Sequence, residues 1–576
     1  MSTADEATGA SSAPRLRIAA LLFALACAVY LGSLRNGLVF DDALIVTGNP
    51  AVTGEAGMLR IFTSGYWVPT EANPLLHPHL YRPVTILSFR LQHQLCGTAP
   101  WSWHLVNVLL HGAVTSTLLF ILLRLSGSLP AATAGALLFA VHPVHSEAVV
   151  SVVGRAELLA GLFVLAAWLL RDRLFVSALL FVLGMLSKEN AVVLPGLLVL
   201  EDVASAGWRP WSRERLRKRL PLPGLMLLVV VALLCVRAKV LGVMLGDPGG
   251  PFSRTPAAHR LLTAVEILGR DLWLMVFPAH LSADYGFDQI PVVTSPWHPG
   301  FAAGLAATAA CALLAWLARR RLPALSLGIV FFFVALAPVS NLLFGIGTPM
   351  AERLLYLPSA GLCLAAGALL EHAAKRIALP SSRTLAATCL LAAIPALPFA
   401  VRCWTRTADW RNPRTFFLTT VRTSPRSTLA WLGLGNVHEA DGRLAEAEMA
   451  YRKSMEIAPG RAVGHFNLGN VLEKLGRPLE AIRELELARE LQPGLWQACA
   501  PLGQLYLTQG NPRKAEEAWR CAVEEGPPRA PAHAGLAAAL AAMGRTGEAI
   551  AQCEEALRLD PGDPRVARML EALRGR

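Results

Sequence analysis

Long apolar runs separated by short charged segments occupy the first two thirds of the chain. A helix of roughly 20 apolar residues matches the ~30 Å hydrocarbon core of a bilayer, so each run is a candidate transmembrane helix. The pattern predicts about eleven spans, several of them short enough to lie tilted or partly buried in a bundle. The predicted spans are residues 18–34, 104–123, 131–142, 156–170, 174–187, 190–203, 222–241, 300–318, 322–338, 355–371 and 384–401.

The last third of the chain is polar, and from about Ser427 it repeats with a period of 34 residues. This period resembles the tetratricopeptide repeat, in which a small residue lets two helices approach and a proline ends the second helix. We interpret its concave groove as a site that captures a polypeptide partner or substrate. The alternative is a dimerisation or spacer module. The recurring residues are Gly435, Gly469 and Gly503, then Gly442, Gly476, Gly510 and Gly544, then Ala447, Ala481, Ala515 and Ala549, and Pro459, Pro493, Pro527 and Pro561.

Together the two patterns predict an all-α protein, a polytopic membrane helical domain followed by a tetratricopeptide-repeat α-solenoid. No convincing cleavage site follows the first apolar run, so we expect a retained helix rather than a cleaved signal peptide. The predicted divisions are a cytoplasmic tail at 1–17, a transmembrane domain at 18–401 with large outer loops at 35–103 and 242–299, a joining segment with a half-repeat at 402–426, repeats at 427–561 and a capping helix at 562–576.

Composition supports the membrane interpretation. The 576 residues are 54% hydrophobic and 16% charged, with a mean hydropathy of +0.45, which excludes an ordinary soluble protein. The net charge of +12 comes from short basic clusters between apolar runs, not from a basic surface interleaved with aromatics, so we expect no nucleic-acid partner. The ten cysteines have no metal-ligand spacing and imply no disulfide framework.

The basic clusters also predict an orientation. When the spans alternate, these clusters fall on one side, which the positive-inside rule makes the cytoplasm. The opposite side receives both large loops and the repeats. We therefore expect a multi-pass protein of the bacterial inner membrane, or of the endoplasmic reticulum in a eukaryote, with its active site and repeats on the periplasmic or lumenal side. The clusters are Arg15 and Arg17, Arg124, Arg171 and Arg173, residues 213–219, residues 319–321, and Lys375, Arg376 and Arg383.

Two adjacent carboxylates, Asp41 and Asp42, follow the first apolar run. An unpaired charge near hydrocarbon is costly, so acids at this depth line a polar cavity, pair with a cation or take part in chemistry. The alternative is an ordinary acidic pair in a loop. Two neighbours on an irregular segment point in different directions, so the sequence leaves open which of them would act as a base.

The segment from His142 to Glu157 contains another group of polar residues. If the chain is helical after Pro143, then Glu147, Ser151 and Arg155 form one polar stripe at four-residue spacing. His142 and His145 are weak metal ligands by spacing, and we favour hydrogen-bonding or structural roles for them.

Further polar motifs fall on the same predicted outer side. Lys188, which precedes Glu189, could be a cation that binds phosphate. The alternative is that Lys188 and Glu189 only neutralise each other or neighbouring charges. The stretch 257–281 before Asp284 is predicted to be a juxtamembrane or re-entrant helix. The gathering of acids and cations suits a reaction between a water-side acceptor and a lipid-borne anion. The other motifs are Tyr81-Arg82-Pro83, Leu281 to Tyr285, and Glu352-Arg353 through Tyr356 to Ser359.

In this order, these motifs resemble the transmembrane and tetratricopeptide-repeat-containing family, which are protein O-mannosyltransferases of the GT-C glycosyltransferase superfamily. The resemblance spans nearly the whole chain, and the Arg-, Ala- and Leu-rich sequence favours a bacterial member. The resemblance implies a GT-C-type membrane domain and an inverting transfer of mannose or another hexose from a polyprenyl or dolichyl phosphate to Ser or Thr hydroxyls. It also implies that no nucleotide sugar takes part. The implied partners are the lipid bilayer, the lipid-phosphate sugar and a polypeptide in the repeat groove.

The resemblance also implies roles for individual residues. Asp41 or Asp42 would be the general base that takes the acceptor proton. The donor phosphate would be held by Arg155, Lys188, Arg353 and Arg82. Supporting or sugar-binding roles would fall to Glu147, Glu189, Glu352, Tyr356, His142, His145 and Asp284. No cofactor is certain, and a divalent metal stays an open question because some GT-C enzymes bind one through such carboxylates.

Two other interpretations compete with an enzyme. One is a non-catalytic membrane scaffold that presents the repeats, for which Asp41 and Asp42 would be dispensable. The other is a transporter of a lipid-linked sugar, which predicts internal symmetry between two halves of the membrane domain. The clustering of acids and cations at one membrane edge favours the enzyme.

Overall fold

The computed structural model describes residues 12–67, 80–208, 212–244, 252, 255–286, 289–377 and 383–575. Residues 1–11 of the predicted tail, and 68–79, 245–251, 253–254 and 287–288 of the predicted outer loops, lie outside the described residues. Within the described ranges all regular secondary structure is helical. The chain divides into two compact units, Met1–Ser424 and Pro425–Arg576. The predicted all-α architecture is confirmed.

The first unit contains nineteen α-helices in the described residues. In chain order they are α1 Ser12–Tyr30, α2 Asp41–Val46, α3 Pro50–Thr53, α4 Arg60–Thr63, α5 Pro83–Cys96, α6 Pro100–Ser126, α7 Leu129–Ala140, α8 Ser146–Val150, α9 Arg155–Leu169, α10 Leu174–Ser187, α11 Leu194–Ser205, α12 Arg213–Arg219, α13 Pro221–Leu241, α14 Ala257–Val276, α15 Pro299–Ala318, α16 Pro323–Leu336, α17 Tyr356–Arg376, α18 Thr384–Ala408 and α19 Pro413–Thr423.

Seven helices in the described part of the chain are long and apolar enough to cross a membrane. They coincide with seven of the eleven predicted spans. Three of the other predicted spans form shorter apolar helices, Leu129–Ala140, Leu174–Ser187 and Pro323–Val339. The fourth, 190–203, is divided between a 3-10 turn, Glu189–Val193, and α11. The seven are Ala13–Arg35, Pro100–Ser126, Val152–Leu169, Pro221–Leu241, Pro299–Ala318, Glu352–Arg376 and Thr384–Ala408.

Glycines let the helices at the centre of this unit approach closely. α17 packs against α7 on one side and α16 on the other. A Cβ atom at Gly367 would lie 2.2 Å from the carbonyl oxygen of Ala131 in α7. Small residues at helix crossings stabilise membrane bundles because they allow close backbone packing. The crossing therefore has no room for a side chain.

The second unit repeats a helical hairpin. Its helices are α20 Thr428–Ala440, α21 Leu444–Ile457, α22 Ala462–Lys474, α23 Pro478–Leu491, α24 Cys499–Thr508, α25 Pro512–Glu524, α26 Ala530–Ala542, α27 Thr546–Leu559 and α28 Pro564–Arg574. Four glycines of the 34-residue period, Gly442, Gly476, Gly510 and Gly544, end the turn inside each hairpin at φ of +74°, +75°, +72° and +76°. Glycine adopts this left-handed conformation at little cost, which explains its recurrence.

One expectation about the cysteines is wrong. Cys499 and Cys521 form a disulfide that joins α24 to α25, with a Cα–Cα distance of 5.9 Å. The two residues are 22 positions apart in sequence and meet only because the hairpin folds back on itself. Spacing alone does not reveal such a pair.

The segment predicted to be a half-repeat before the array forms α19, which belongs to the first unit. Phe416 and Phe417 are buried, and both rings pack against Phe40. α19 therefore supports the segment that carries the acidic pair.

Replacement of Gly367 by valine is expected to destabilise the first unit, because the new side chain meets the α7 backbone at the crossing. Overpacking of this kind costs about 1–3 kcal/mol. Thermal unfolding of the purified protein in detergent measures the effect. Gly224→Val is the matched control, since a Cβ at Gly224 in α13 meets no other described atom within 4 Å. Equal destabilisation by both variants would contradict this account of the crossing.

Candidate active site

A cavity of about 690 Å³ lies in the first unit and gathers residues from distant parts of the chain. Its acidic lining residues are Asp41, Glu157 and Glu189, and its basic lining residues are Arg82, Lys188, Arg237 and Arg353. One wall is apolar and comes from α10, α13 and the segment between α16 and α17. The cavity thus combines a charged part with a hydrocarbon-like part.

The acidic pair begins α2 from a strained position. Phe40, the residue before Asp41, has φ +57° and ψ −119°, a conformation that L-residues with a side chain rarely adopt. Its ring stacks on Phe416 with a centroid distance of 5.6 Å. This packing holds the chain in the turn that places Asp41 and Asp42 at the start of the helix.

The two carboxylates have different surroundings. Asp42 is 1% exposed, and its Oδ1 accepts hydrogen bonds from the Ser151 hydroxyl and the Val153 N–H, both at 3.0 Å. Asp41 instead lines the cavity. Burial raises the pKa of both carboxyl groups, and that of Asp41 reaches about 7. The Arg353 guanidinium opposes this rise at Asp41, whereas the charge of Asp42 adds to it.

Each predicted cation at the cavity is matched by a carboxylate. Arg82 donates to Glu189 Oε2 through Nε at 3.1 Å and Nη2 at 2.9 Å. Lys188 forms an ion pair with Glu157. A third pair joins Arg353 in the 3-10 turn Glu352–Leu355 to Glu147, which also accepts the Arg353 backbone N–H at 2.9 Å. Such pairing is what a low-dielectric site requires of its charges.

The predicted stripe of Glu147, Ser151 and Arg155 is wrong. The helix α8 ends at Val150, and Ser151 is extended at φ −70° and ψ 133° before α9 begins at Arg155. The three side chains consequently have separate partners. Glu147 pairs with Arg353, Ser151 donates to Asp42, and Arg155 donates through Nε to Asn107 Oδ1 at 3.0 Å.

Arg155 does not line the cavity. Its guanidinium also donates to the Trp103 carbonyl at 3.2 Å and lies 4.7 Å from the centre of the Phe89 ring. It is 1% exposed. Its contacts hold α9 against α5 and α6, and they leave Asn107 free to donate from its amide nitrogen to the Ser151 carbonyl at 2.8 Å.

Glu352, next to Arg353, points into a separate buried cluster. Its Oε1 accepts from the Ser282 N–H and from the Tyr285 hydroxyl at 2.8 Å. Arg406 Nη2 lies 3.8 Å from its Oε2, and the Ser424 hydroxyl donates to the Ser282 hydroxyl at 2.7 Å. The cluster fastens the 3-10 turn that carries Arg353 to α18 and to the end of α19.

The remaining predicted site residues lie away from the cavity wall. His142 Nε2 is 3.0 Å from the Met275 carbonyl, and His145 Nε2 is 2.8 Å from the Ser359 hydroxyl. Tyr356 contacts His111 Nδ1 at 2.9 Å through its hydroxyl. Asp284 accepts from the Gly286 N–H at 2.9 Å, and its charge acts on Asp41 and raises the pKa of that carboxyl.

Several polar lining residues were not predicted as site residues, among them Glu157, Asn190, Arg237 and Tyr66. Glu157 and Asn190 lie in motifs that the sequence singled out, but nothing in the spacing assigned them a site. Arg237 had a usable signal, a basic residue inside the predicted span 222–241, where charges are rare and usually functional. Tyr66 in the first outer loop had none.

In the described ranges, a group of three possible metal ligands within 4.8 Å of one another occurs at Cys499, Cys521 and Glu525. The two cysteines there are joined in the disulfide of the repeat unit. Of the acids that line the cavity, Glu157 and Glu189 are paired with cations, and the question of a metal stays as the sequence left it.

Known proteins match most of the chain. Protein O-mannosyl-transferase Tmtc3 of Drosophila melanogaster is 28% identical over 536 residues, which are 78% of this chain and 56% of the fly protein. Protein O-mannosyl-transferase TMTC3 of Mus musculus is 28% identical and covers 77% of this chain and 51% of the mouse protein. Protein O-mannosyl-transferase TMTC2 of Homo sapiens is 28% identical and covers 75% of this chain and 61% of the human protein. The predicted family resemblance is confirmed. The chain spans between half and two thirds of the length of these curated relatives.

Family models described as tetratricopeptide repeat match residues 427–493 and 501–564. The second unit is a tetratricopeptide-repeat array. Among solved structures, the crystal structure of MamA protein is 22% identical, covering 26% of this chain and 81% of that chain with a TM-score of 0.24. The crystal structure of YrrB, a TPR protein with an unusual peptide-binding site, is 21% identical. It covers 32% of this chain and 87% of the YrrB chain, with a TM-score of 0.25.

Arg406→Met is expected to lower the free energy of unfolding by about 3–5 kcal/mol, because it leaves the carboxylate of Glu352 buried without its cation. Titration of the protein with a denaturing detergent measures the change. Arg402→Met, a partly exposed arginine one turn earlier on α18, is the control and should have a much smaller effect. A similar loss in both variants would show that the methionines perturb the helix rather than the ion pair.

Proposed function

We propose that the chain is a membrane glycosyltransferase. It transfers mannose or another hexose from a polyprenyl phosphate to Ser or Thr hydroxyls of proteins, on the non-cytoplasmic face. The observation that carries the proposal is the cavity, where Asp41 lies among paired cations beside an apolar wall. The names of the relatives support the same activity.

Asp41 is the general base in this proposal. It takes the proton of the acceptor hydroxyl while the hydroxyl oxygen forms a bond to the anomeric carbon of the sugar. The bond from that carbon to the phosphate oxygen breaks, and its electron pair leaves with the polyprenyl phosphate. Attack from the side opposite the leaving group inverts the anomeric centre. Asp42 is a positioning residue, since its hydrogen bonds to Ser151 and Val153 hold the start of α2.

Lys188, Arg353 and Arg82 hold the donor phosphate. All three line the cavity, and their carboxylate partners fix their direction without removing every N–H that can donate to phosphate. Arg155 is left out of this role because its donors contact Asn107 and the Trp103 carbonyl. Arg237 adds a further positive charge to the wall.

The polyprenyl chain lies along the apolar wall. Val230, Leu233 and Leu234 of α13 contribute to it. Only 6% of the apolar window of α13 is buried, so most of the helix surface is available to lipid. A lipid-linked donor can therefore reach the cavity from the membrane with little change in its surroundings.

The Glu352 cluster positions Arg353. Hydrogen bonds from Ser282 and Tyr285 fix Glu352, and the adjacent residue is thereby held toward Asp41 and Glu147. Because Glu352 and Arg353 have different partners, the 3-10 turn that carries them has little freedom. This supports a fixed distance between the phosphate-binding cation and the base.

The repeats recruit the protein acceptor in this proposal. The segregation of basic clusters in the sequence supports a non-cytoplasmic location for them. The Cys499–Cys521 disulfide supports the same location, since disulfides persist in oxidising compartments and are rare in the cytosol.

Asp41→Asn is expected to abolish transfer, because an amide cannot accept the hydroxyl proton and general-base catalysis contributes about 10²–10⁴-fold. Glycopeptide and intact-mass analysis of exported and membrane proteins measures the result in cells with matched amounts of wild type or variant. The expected product is a hexose-sized addition on Ser or Thr. Asp42→Asn should reduce it less, since the amide oxygen still accepts from Val153 and Ser151.

The matched control is Asp441→Asn, an exposed carboxylate in the repeat unit. An unchanged pattern of modification in both Asp41→Asn and a deletion strain would remove support for transfer to protein. Loss of function only upon changes in the repeat groove would instead favour the scaffold. Exposure of a lipid-linked sugar on the opposite leaflet, without transfer, would favour the transporter.

The rate of transfer is expected to rise with pH and to level off above about pH 7–8. The pKa of Asp41 is about 7, and only its deprotonated form accepts a proton. At pH 6 the rate should therefore be about tenfold below the plateau. A rate that stays constant from pH 5 to pH 8 would contradict the role of Asp41 as the base.

A further inference from the structure

Three polar atoms in residues of the cavity wall lack a hydrogen-bond partner within the described part of the chain. They are Tyr66 Oη, Glu189 Oε1 and Asn190 Oδ1. Buried polar atoms nearly always have a partner, because an unpaired one costs free energy. Three of them in residues that line one cavity indicate a place where a ligand supplies the missing bonds.

Neighbouring contacts prevent these side chains from turning to other partners. The second oxygen of Glu189 accepts two bonds from Arg82. The amide nitrogen of Asn190 donates to Glu157 Oε2 at 2.6 Å. Because a carboxylate paired with Lys188 can only accept, the nitrogen must face Glu157, and the amide oxygen is fixed on the other side.

Tyr66 is held as firmly. Its backbone N–H donates to the Leu80 carbonyl at 2.6 Å, and its own carbonyl accepts from the Asn49 amide at 3.1 Å. The ring packs edge-on against Trp67 at 5.0 Å and lies 5.3 Å from the Arg82 guanidinium. The side chain is 1% exposed, so the hydroxyl has a fixed place in the wall.

The chemistry of the three atoms restricts what they can bind. A carboxylate oxygen and an amide oxygen only accept hydrogen bonds, and a phenol both donates and accepts. Their ligand must therefore carry O–H or N–H donors. A phosphodiester anion and a hydrocarbon chain carry none, whereas each hydroxyl of a sugar can donate and accept. The lysine and arginines of the cavity, by contrast, only donate hydrogen bonds and therefore prefer an acceptor such as phosphate.

We propose that Tyr66, Glu189 and Asn190 form a subsite that hydrogen-bonds to the hydroxyls of the sugar on the lipid-linked donor. This inference rests on the proposed function and assigns Tyr66 and Asn190 as specificity-determining residues. Arg82 contacts both Glu189 and the Tyr66 ring, so the subsite adjoins a cation proposed to hold phosphate. A sugar bonded to that phosphate would lie beside it.

The test uses the full chain in lipid nanodiscs with two probes, undecaprenyl phosphate and undecaprenyl phosphomannose. Tyr66→Phe is expected to weaken binding of the sugar-bearing lipid about tenfold, as loss of one hydrogen bond predicts, and to leave the sugar-free lipid unaffected. The matched control is Tyr81→Phe. Tyr81 lines the same cavity, but its hydroxyl already donates to the Phe62 carbonyl at 3.0 Å. The Tyr81→Phe substitution should change the affinity for neither lipid.

Thermal unfolding without lipid gives a second readout. Tyr66→Phe should unfold at the same or a higher temperature than wild type, since it removes an unpaired buried hydroxyl, whereas Tyr81→Phe should unfold at a lower one. A Tyr66→Phe protein that unfolds much earlier would overturn the inference, because the hydroxyl would then have a structural partner.

The outcomes separate the subsite from the proposed function. The subsite does not bind sugar hydroxyls if wild type binds both lipids equally, or if Tyr66→Phe weakens the binding of both lipids equally or of neither. In these cases the proposed lipid-phosphate donor is not contradicted. If wild type binds neither lipid, the proposed donor fails and the subsite fails with it. Wild-type preference for the sugar-bearing lipid, lost in Tyr66→Phe alone, is the supporting result.

Discussion

A charge that leaves water must meet an opposite charge or several hydrogen bonds, and the arrangement around Asp41 follows from this constraint. Arg82, Lys188 and Arg353 each have their own carboxylate, so the cavity keeps its cations in fixed directions. If one carboxylate were removed, its cation would be left uncompensated and the wall would rearrange. The charged part of the cavity therefore depends on the carboxylates as much as on the cations that they pair with.

The same constraint gives the neighbouring carboxylates of Asp41 and Asp42 different surroundings. Asp42 is buried, and its Oδ1 accepts hydrogen bonds from a hydroxyl and a backbone N–H. Asp41 lines the cavity, and its elevated pKa reflects burial that the Arg353 charge offsets only in part. The strained backbone at Phe40 and its stacking on Phe416 set the turn that makes this division possible. Packing of Phe40 against a residue far along the chain, Phe416, thus helps to decide which of the two acids lines the cavity.

The membrane unit achieves this arrangement through interruptions of its helices. The chain breaks at Ser151, at Lys188 and before Tyr356, and each break brings a polar side chain or backbone group to the cavity or its immediate supports. Non-helical backbone inside a membrane protein is tolerated where protein or a polar cavity satisfies its hydrogen bonds. The continuous helices, by contrast, pack through small residues such as Gly367 and supply the rigid frame.

The sequence by itself determined the elements and their chemistry. Apolar run length, the 34-residue period and the recurring glycines depend on local geometry, so they predicted the helical membrane unit and the repeats, and the motif order predicted the family resemblance. Only the tertiary structure decided which polar residues meet. Ser151 and Arg155 were expected on one stripe but have separate partners, because a break in the helix rotates one relative to the other. Tyr66 and the Cys499–Cys521 pair carry no local signal, since their roles depend on contacts made when the chain folds back, and such contacts leave no spacing in the sequence.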